Sequence, residues 1–165
     1  MVSAMVPAVV VTLVLATAGL VAASRRLALV RVAGQSMTPT LADGDRLLAW
    51  RRSGPLRVGD IVVLEAPYPV GVVPHAAAGK LHPPPWQTGP ASPGELDRRW
   101  IVKRVVALPG DVVPPEGAGC LTAGTVVPPG CLLVVGDNPD QSYDSRHVGF
   151  VPAERVLGLV IRRLK

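Results

Sequence analysis

Aromatic side chains are almost missing from this chain: of 165 residues, 3 are Trp, 2 Tyr and 1 Phe. A core of these residues must therefore be assembled from Val, Leu, Ile and Ala, and the β-branched members of that set favour strands. Cysteine is nearly absent too, with 2 residues, and histidine numbers 3. No zinc-ligand spacing exists among them. No basic tract is interleaved with aromatics, and this argues against a nucleic-acid partner despite a formal net charge of +5. There is no collagen period and no G-x-S-x-G elbow. Long helical patterns are also missing. With 17 Gly and 18 Pro, a bundle or coiled coil is disfavoured, because both residues break helix interiors. A hydrophobic content of 48% nonetheless suffices for a packed core and excludes global disorder.

One long apolar run is present. Val6–Ala23 carries no charge and has about the length of a short transmembrane helix. Pro7 lies at its start, where a missing N–H costs least. A cleaved signal peptide is the competing reading: Ala22-Ala23-Ser24 supplies small residues, but no basic segment precedes the run. The reading is an uncleaved anchor over residues 1–27, followed by a β-rich domain over 28–165. Arg25, Arg26 and Arg31 follow the run, and the positive-inside bias alone would put the domain on the cytoplasmic side. Together with Arg162, Arg163 and Lys165 they also suit an anionic lipid surface.

Beyond the anchor, apolar runs predict strands at Ala28–Val32, Arg46–Trp50, Ile61–Leu64, Ile101–Ala107, Val112–Val113, Leu132–Val135 and Val156–Ile161. Gly44-Asp45, Gly59-Asp60, Gly110-Asp111 and Gly136-Asp137 punctuate them as turns. For Asp45, Asp60 and Asp111, turn chemistry is the whole expectation. A Pro/Gly-rich insertion spans about 66–98, and its His75 and His82 read as solvated loop residues. Cys120 and Cys131 enclose a short Gly/Pro-rich segment. An extracytoplasmic domain would make a disulfide between them plausible, and a cytoplasmic one would leave two free thiols.

Three segments could carry chemistry. In Gly34-Gln35-Ser36-Met37-Thr38-Pro39, a serine follows a glycine and precedes a stiffened turn, which exposes a hydroxyl but supplies no base. In Trp100–Asp111, Lys103 interrupts an apolar strand. Burial would depress its pKa and let the neutral amine act as a base, whereas an edge position would leave its head in water. Gly136–Pro152 is dense in hydroxyls and carboxylates: Asp144 and Arg146 can pair, and Ser142 can orient an amine.

In order, G-Q-S-M-T-P-T-L, K-R-V-V-A-L-P-G-D and G-D-N-P-D-Q-S-Y-D-S-R after an apolar anchor resemble the type I signal peptidases. These are membrane-anchored Ser-Lys endopeptidases sharing a mainly β fold with the self-cleaving SOS-response repressors. The resemblance covers most of 31–157 apart from the insertion. It implies Ser36 as nucleophile and Lys103 as general base. It further implies Ser142, Asp144 and Arg146 as supports, and Met37 and Gly34 at the substrate pocket. Gly34 stands where some members carry an oxyanion-binding serine. Expected substrates are exported preproteins with small residues before the cut, with no metal or cofactor and an extracytoplasmic catalytic domain. A maturation protease with one client, or an inactive tethered peptide binder, is the alternative.

Overall fold

The computed structural model describes residues 14, 17, 19, 24–51, 54–66 and 100–164. Nearly all of the expected anchor and insertion, including His75 and His82, lies outside them. Val14, Thr17, Gly19, Ser24 and Arg25 are helical. Among the described residues no helix is long and apolar enough to cross a membrane.

The strands are β1 (Leu27–Arg31), β2 (Arg46–Arg51), β3 (Ile61–Glu65), β4 (Trp100–Ala107), β5 (Cys131–Val135), β6 (Val151–Pro152) and β7 (Val156–Leu164). They pair antiparallel in the order β1-β2-β7-β3-β4-β5-β6. The sheet is mainly Val and Leu, as the lack of aromatics requires. Bulges interrupt the register between Leu48 and Ala49, Val63 and Leu64, and Val105 and Ala107. Such bulges bend and twist a sheet locally.

Side-chain alternation splits the apolar residues between cores. Val63 and Val102 join Met37, Leu41, Leu47 and Ala49 in one cluster. Their neighbours Val62, Leu64 and Val105 join Leu132, Val134 and Val151 in another. A third holds Ala107, Val113, Val127 and Leu133. A strand covered on both faces reads as a continuous apolar run, and β3 has Val62, Val63 and Leu64 all buried.

All but one of the expected strands are present, their ends within one residue except that β7 runs three residues further, to Leu164. Val112–Val113 supplies only an isolated bridge, Val112 to Val126, with Val113 N–H donating to Thr125 O at 2.8 Å. The short β6 was not anticipated; with Pro at one of its two positions it carries no periodic signal. Asp45, Asp60 and Asp111 behave as turn residues. Each carboxylate accepts from the backbone N–H three residues earlier, at Ala42, Arg57 and Leu108, at 2.7–2.8 Å. The glycines before them sit at φ between +86° and +95°, where a side chain would be strained.

Candidate active site

The fourth Gly-Asp pair differs from the other three. Gly136 has no positive φ; its demand is for space. A Cβ there would strike the Ser36 carbonyl oxygen and the Ser142 side chain. The end of β5 thus brings the 34–40 turn against the 137–146 loop. Asn138 closes the junction: its N–H donates to Ser36 O at 3.0 Å, and its side-chain amide donates to Thr38 Oγ1 at 2.9 Å.

Lys103 lies on β4, paired with β3, one residue before the β5 pairing begins at Arg104 opposite Val135. Its cross-strand partner is the fully buried Val62, and Lys103 itself is 3% exposed. The amine donates to Ser142 Oγ at 3.0 Å. Burial pulls the lysine pKa from 10.5 down to about 8. Asp144 and Asp137 raise it against that trend, and Arg146 lowers it further. Desolvation is the largest influence, as expected for an ammonium walled in by valine.

Ser142 passes its own proton on: its hydroxyl donates to Asp144 Oδ2 at 2.5 Å. Asp144 is 3% exposed and crowded with donors. Gly136 N–H reaches Oδ2 at 2.8 Å. The Arg146 guanidinium forks onto both carboxylate oxygens, at 2.9 and 2.5 Å, and Arg146 N–H adds a bond of 3.1 Å. Burial would raise the Asp144 pKa, but Arg146, Ser142 and the two backbone N–H groups outweigh it and hold the carboxyl below its usual value. Asp144 also caps the short Ser145–Val148 helix, so one side chain fixes both the helix start and the polar relay.

Ser36 is half-buried in the turn after β1. Among the described residues its hydroxyl has no hydrogen-bond partner. Met37 beside it is 1% exposed and packs into the first core cluster, which also holds Val102, the neighbour of Lys103. Gly34 sits at φ +90° and its N–H donates to Asp43 Oδ1 at 2.8 Å. Cys120 and Cys131 are both free thiols, not a disulfide, and burial raises the pKa of each.

Some residues of this constellation have no individual role in the sequence reading. Arg104, next to Lys103, points to the other face and grips Asp137 with two bonds of 2.8 and 2.7 Å. It also donates to Gly59 O at 2.8 Å and reaches Thr40 Oγ1 at 3.5 Å. This bidentate pair holds Asp137 below the usual carboxylate range. The signal was present in two adjacent cations on one strand, whose side chains must point to opposite faces. Asp43, Asn138 and the crowding at Gly136 left no pattern that spacing reveals.

The chain matches the family described as signal peptidase, peptidase S26, over residues 2–120 and 114–164. It is 34% identical to a signal peptidase I of Bacillus caldolyticus over 148 residues, covering 78% of this chain and 74% of that one. A signal peptidase I of Leptolyngbya laminosa is 30% identical over 153 residues, covering 80% and 66%. A mitochondrial ATP-independent inner membrane protease subunit 1a of Arabidopsis thaliana is 29% identical over 140 residues, covering 81% and 67%. The chain belongs to the signal peptidase family, peptidase S26, and is a serine endopeptidase.

Proposed function

We propose that this endopeptidase removes signal peptides from exported precursors, with Ser36 as nucleophile and Lys103 as general base. The observation that carries the reading is the buried relay Lys103–Ser142–Asp144–Arg146 beside the Ser36 turn.

The relay dictates where the lysine lone pair goes. The single proton of Ser142 is held by Asp144, so Ser142 Oγ can only accept from Lys103. A neutral amine has two protons and one lone pair. With a proton given to Ser142, the lone pair is left for the Ser36 hydroxyl. Lys103 takes the Ser36 proton as the oxygen attacks the scissile carbonyl carbon. The resulting ammonium returns that proton to the departing amine, and an acyl-enzyme remains. Lys103 then deprotonates a water that attacks the ester carbonyl; the bond to Ser36 Oγ breaks, the ammonium returns its proton to that oxygen, and the product leaves as its carboxylic acid.

The oxyanion needs a donor. Gly34 has no hydroxyl to offer, and its N–H is committed to Asp43. The Ser36 N–H is the donor that this arrangement leaves for it.

The substrate can enter as an extra strand. The register of β5 on β4 ends at Arg104 opposite Val135, so the stretch from Trp100 to Lys103 has no β5 partner on that side. An extended peptide pairing there would lead its carbonyl toward Ser36, with shallow pockets selecting small residues such as Ala one and three positions before the cut. Residues 6–23 would tether the domain to the membrane on the extracytoplasmic side, with lipid as a second partner. No cofactor enters any step.

The test is cleavage of a preprotein ending in Ala-x-Ala by the detergent-solubilised full chain. Cleavage after the second Ala is expected, and its loss in both Ser36→Ala and Lys103→Ala. Cleavage that survives either substitution would refute the assignment.

A further inference from the structure

The segment after the Pro115–Gly117 turn takes no part in these steps, yet it lies against the relay. Gly119 comes so near Arg146 that an added Cβ would meet the Arg146 carbonyl oxygen, Cα and Cβ closer than 3.0 Å. Two of those atoms are backbone and cannot yield as a flexible side chain would. Cys120 N–H donates to that same Arg146 carbonyl at 2.8 Å. Cys120 Sγ donates to the Ser145 carbonyl at 3.6 Å. The Ser145–Val148 helix is thus bound by Asp144 at its start and by the 119–120 turn along its flank.

We propose that the Gly119–Cys120 turn is a positioning element for the active site, seating the Arg146 backbone so that its guanidinium holds Asp144, and through Asp144 and Ser142 the lysine. Glycine is required at 119 because any side chain would push Arg146 outward. The inference rests on Lys103 as the base.

The consequence has a sign. The charged groups around Lys103 are Asp144, Arg146 and Asp137, and Asp137 is itself paired with Arg104. His147 reaches Asp144 at 3.9 Å from the same helix. Withdrawing Arg146 removes a cation that lowers the lysine pKa and uncovers a carboxylate that raises it. Both changes favour the ammonium, so a displaced Arg146 moves the working range of the enzyme to higher pH.

The experiment compares pH profiles of kcat/KM for the full chain, Gly119→Ala and Lys103→Ala. A second route perturbs a protein already folded. In a Cys131→Ser background, methyl methanethiosulfonate converts the Cys120 thiol to a methyl disulfide, and a reductant reverses it. Each perturbation is expected to raise the profile midpoint by about one pH unit, which lowers cleavage about tenfold at pH 7 and restores it at alkaline pH. An unchanged midpoint, with cleavage reduced evenly at every pH or not at all, overturns the inference. Should Gly119→Ala fail to fold, the labelled protein decides alone. Lys103→Ala separates the two readings. Its inactivity beside an unshifted midpoint rejects only the positioning role, whereas wild-type cleavage by it rejects the lysine base as well.

Discussion

Lys103 is the side chain on which stability and activity pull in opposite directions. A drop from 10.5 to about 8 corresponds to roughly 3 kcal/mol of net cost for the ammonium, burial outweighing the nearby carboxylates. Between those two values the unfolded chain binds more protons than the folded one, so stability rises with pH across that window. Below about pH 8 the cost is present in full. Lys103→Met is therefore expected to be inactive yet more stable by about 2 kcal/mol at pH 7, after allowing for the donor that Ser142 Oγ loses. Thermal melts at pH 7 and at pH 11 check this, because the advantage should vanish at the higher pH. Asp144 has the opposite requirement: it must stay ionised to hold Ser142, Gly136 and Arg146 at once. Asp144→Asn should lower kcat about 10²-fold or more by loosening the lysine, with KM little changed. A lysine inside a Val-rich strand could be read from sequence as a depressed base. Its bond to Ser142 could not, because 39 residues separate the two and only the fold joins them.

The elements act at their ends. β4 carries Lys103 to one face and Arg104 to the other, and its neighbour β5 stops at Val135, one residue before Gly136. The junction depends on that glycine. Gly136→Ala would drive a methyl group into the Ser36 carbonyl and the Ser142 side chain. A displacement of this size is expected to cost about 10²-fold in kcat/KM while the far-UV spectrum is retained. The strands themselves were legible, because apolar runs bounded by turn residues are a strong local signal. Val112–Val113 misled for the same reason in reverse: two valines in a row have strand propensity, but the chain gives them only one bridge partner. The Gly-Asp pairs show the limit of a motif most clearly. Three are turns capped by their own carboxylates, and the fourth is a point of close approach tied to Arg104, with the same two letters throughout.

Away from the site, a buried ion pair joins distant parts of the chain. Arg155 donates to Glu65 at 3.0 Å, with the residues 3% and 2% exposed. Glu65 ends β3 and Arg155 precedes β7, so the pair fastens two adjacent strands at one end of the sheet. Arg155→Met takes a cation from a buried carboxylate and is expected to destabilise by about 1–3 kcal/mol. The double variant Arg155→Met with Glu65→Leu should recover most of that loss, as denaturant unfolding would report. Neither residue stands out in the sequence, since a charge at a strand end ordinarily reads as solvated. The active site sits away from this fastening, where β4, β5, the Ser36 turn and the Asp144 loop converge.

The measurement that bears most directly on this chemistry is the pH dependence of single-turnover acylation of Ser36 by a preprotein. A rise with a midpoint near pH 8 and a plateau above it is expected, with acylation abolished in Lys103→Ala. A rate independent of pH between 6 and 10, or acylation that persists without the lysine amine, would contradict a neutral Lys103 as the base.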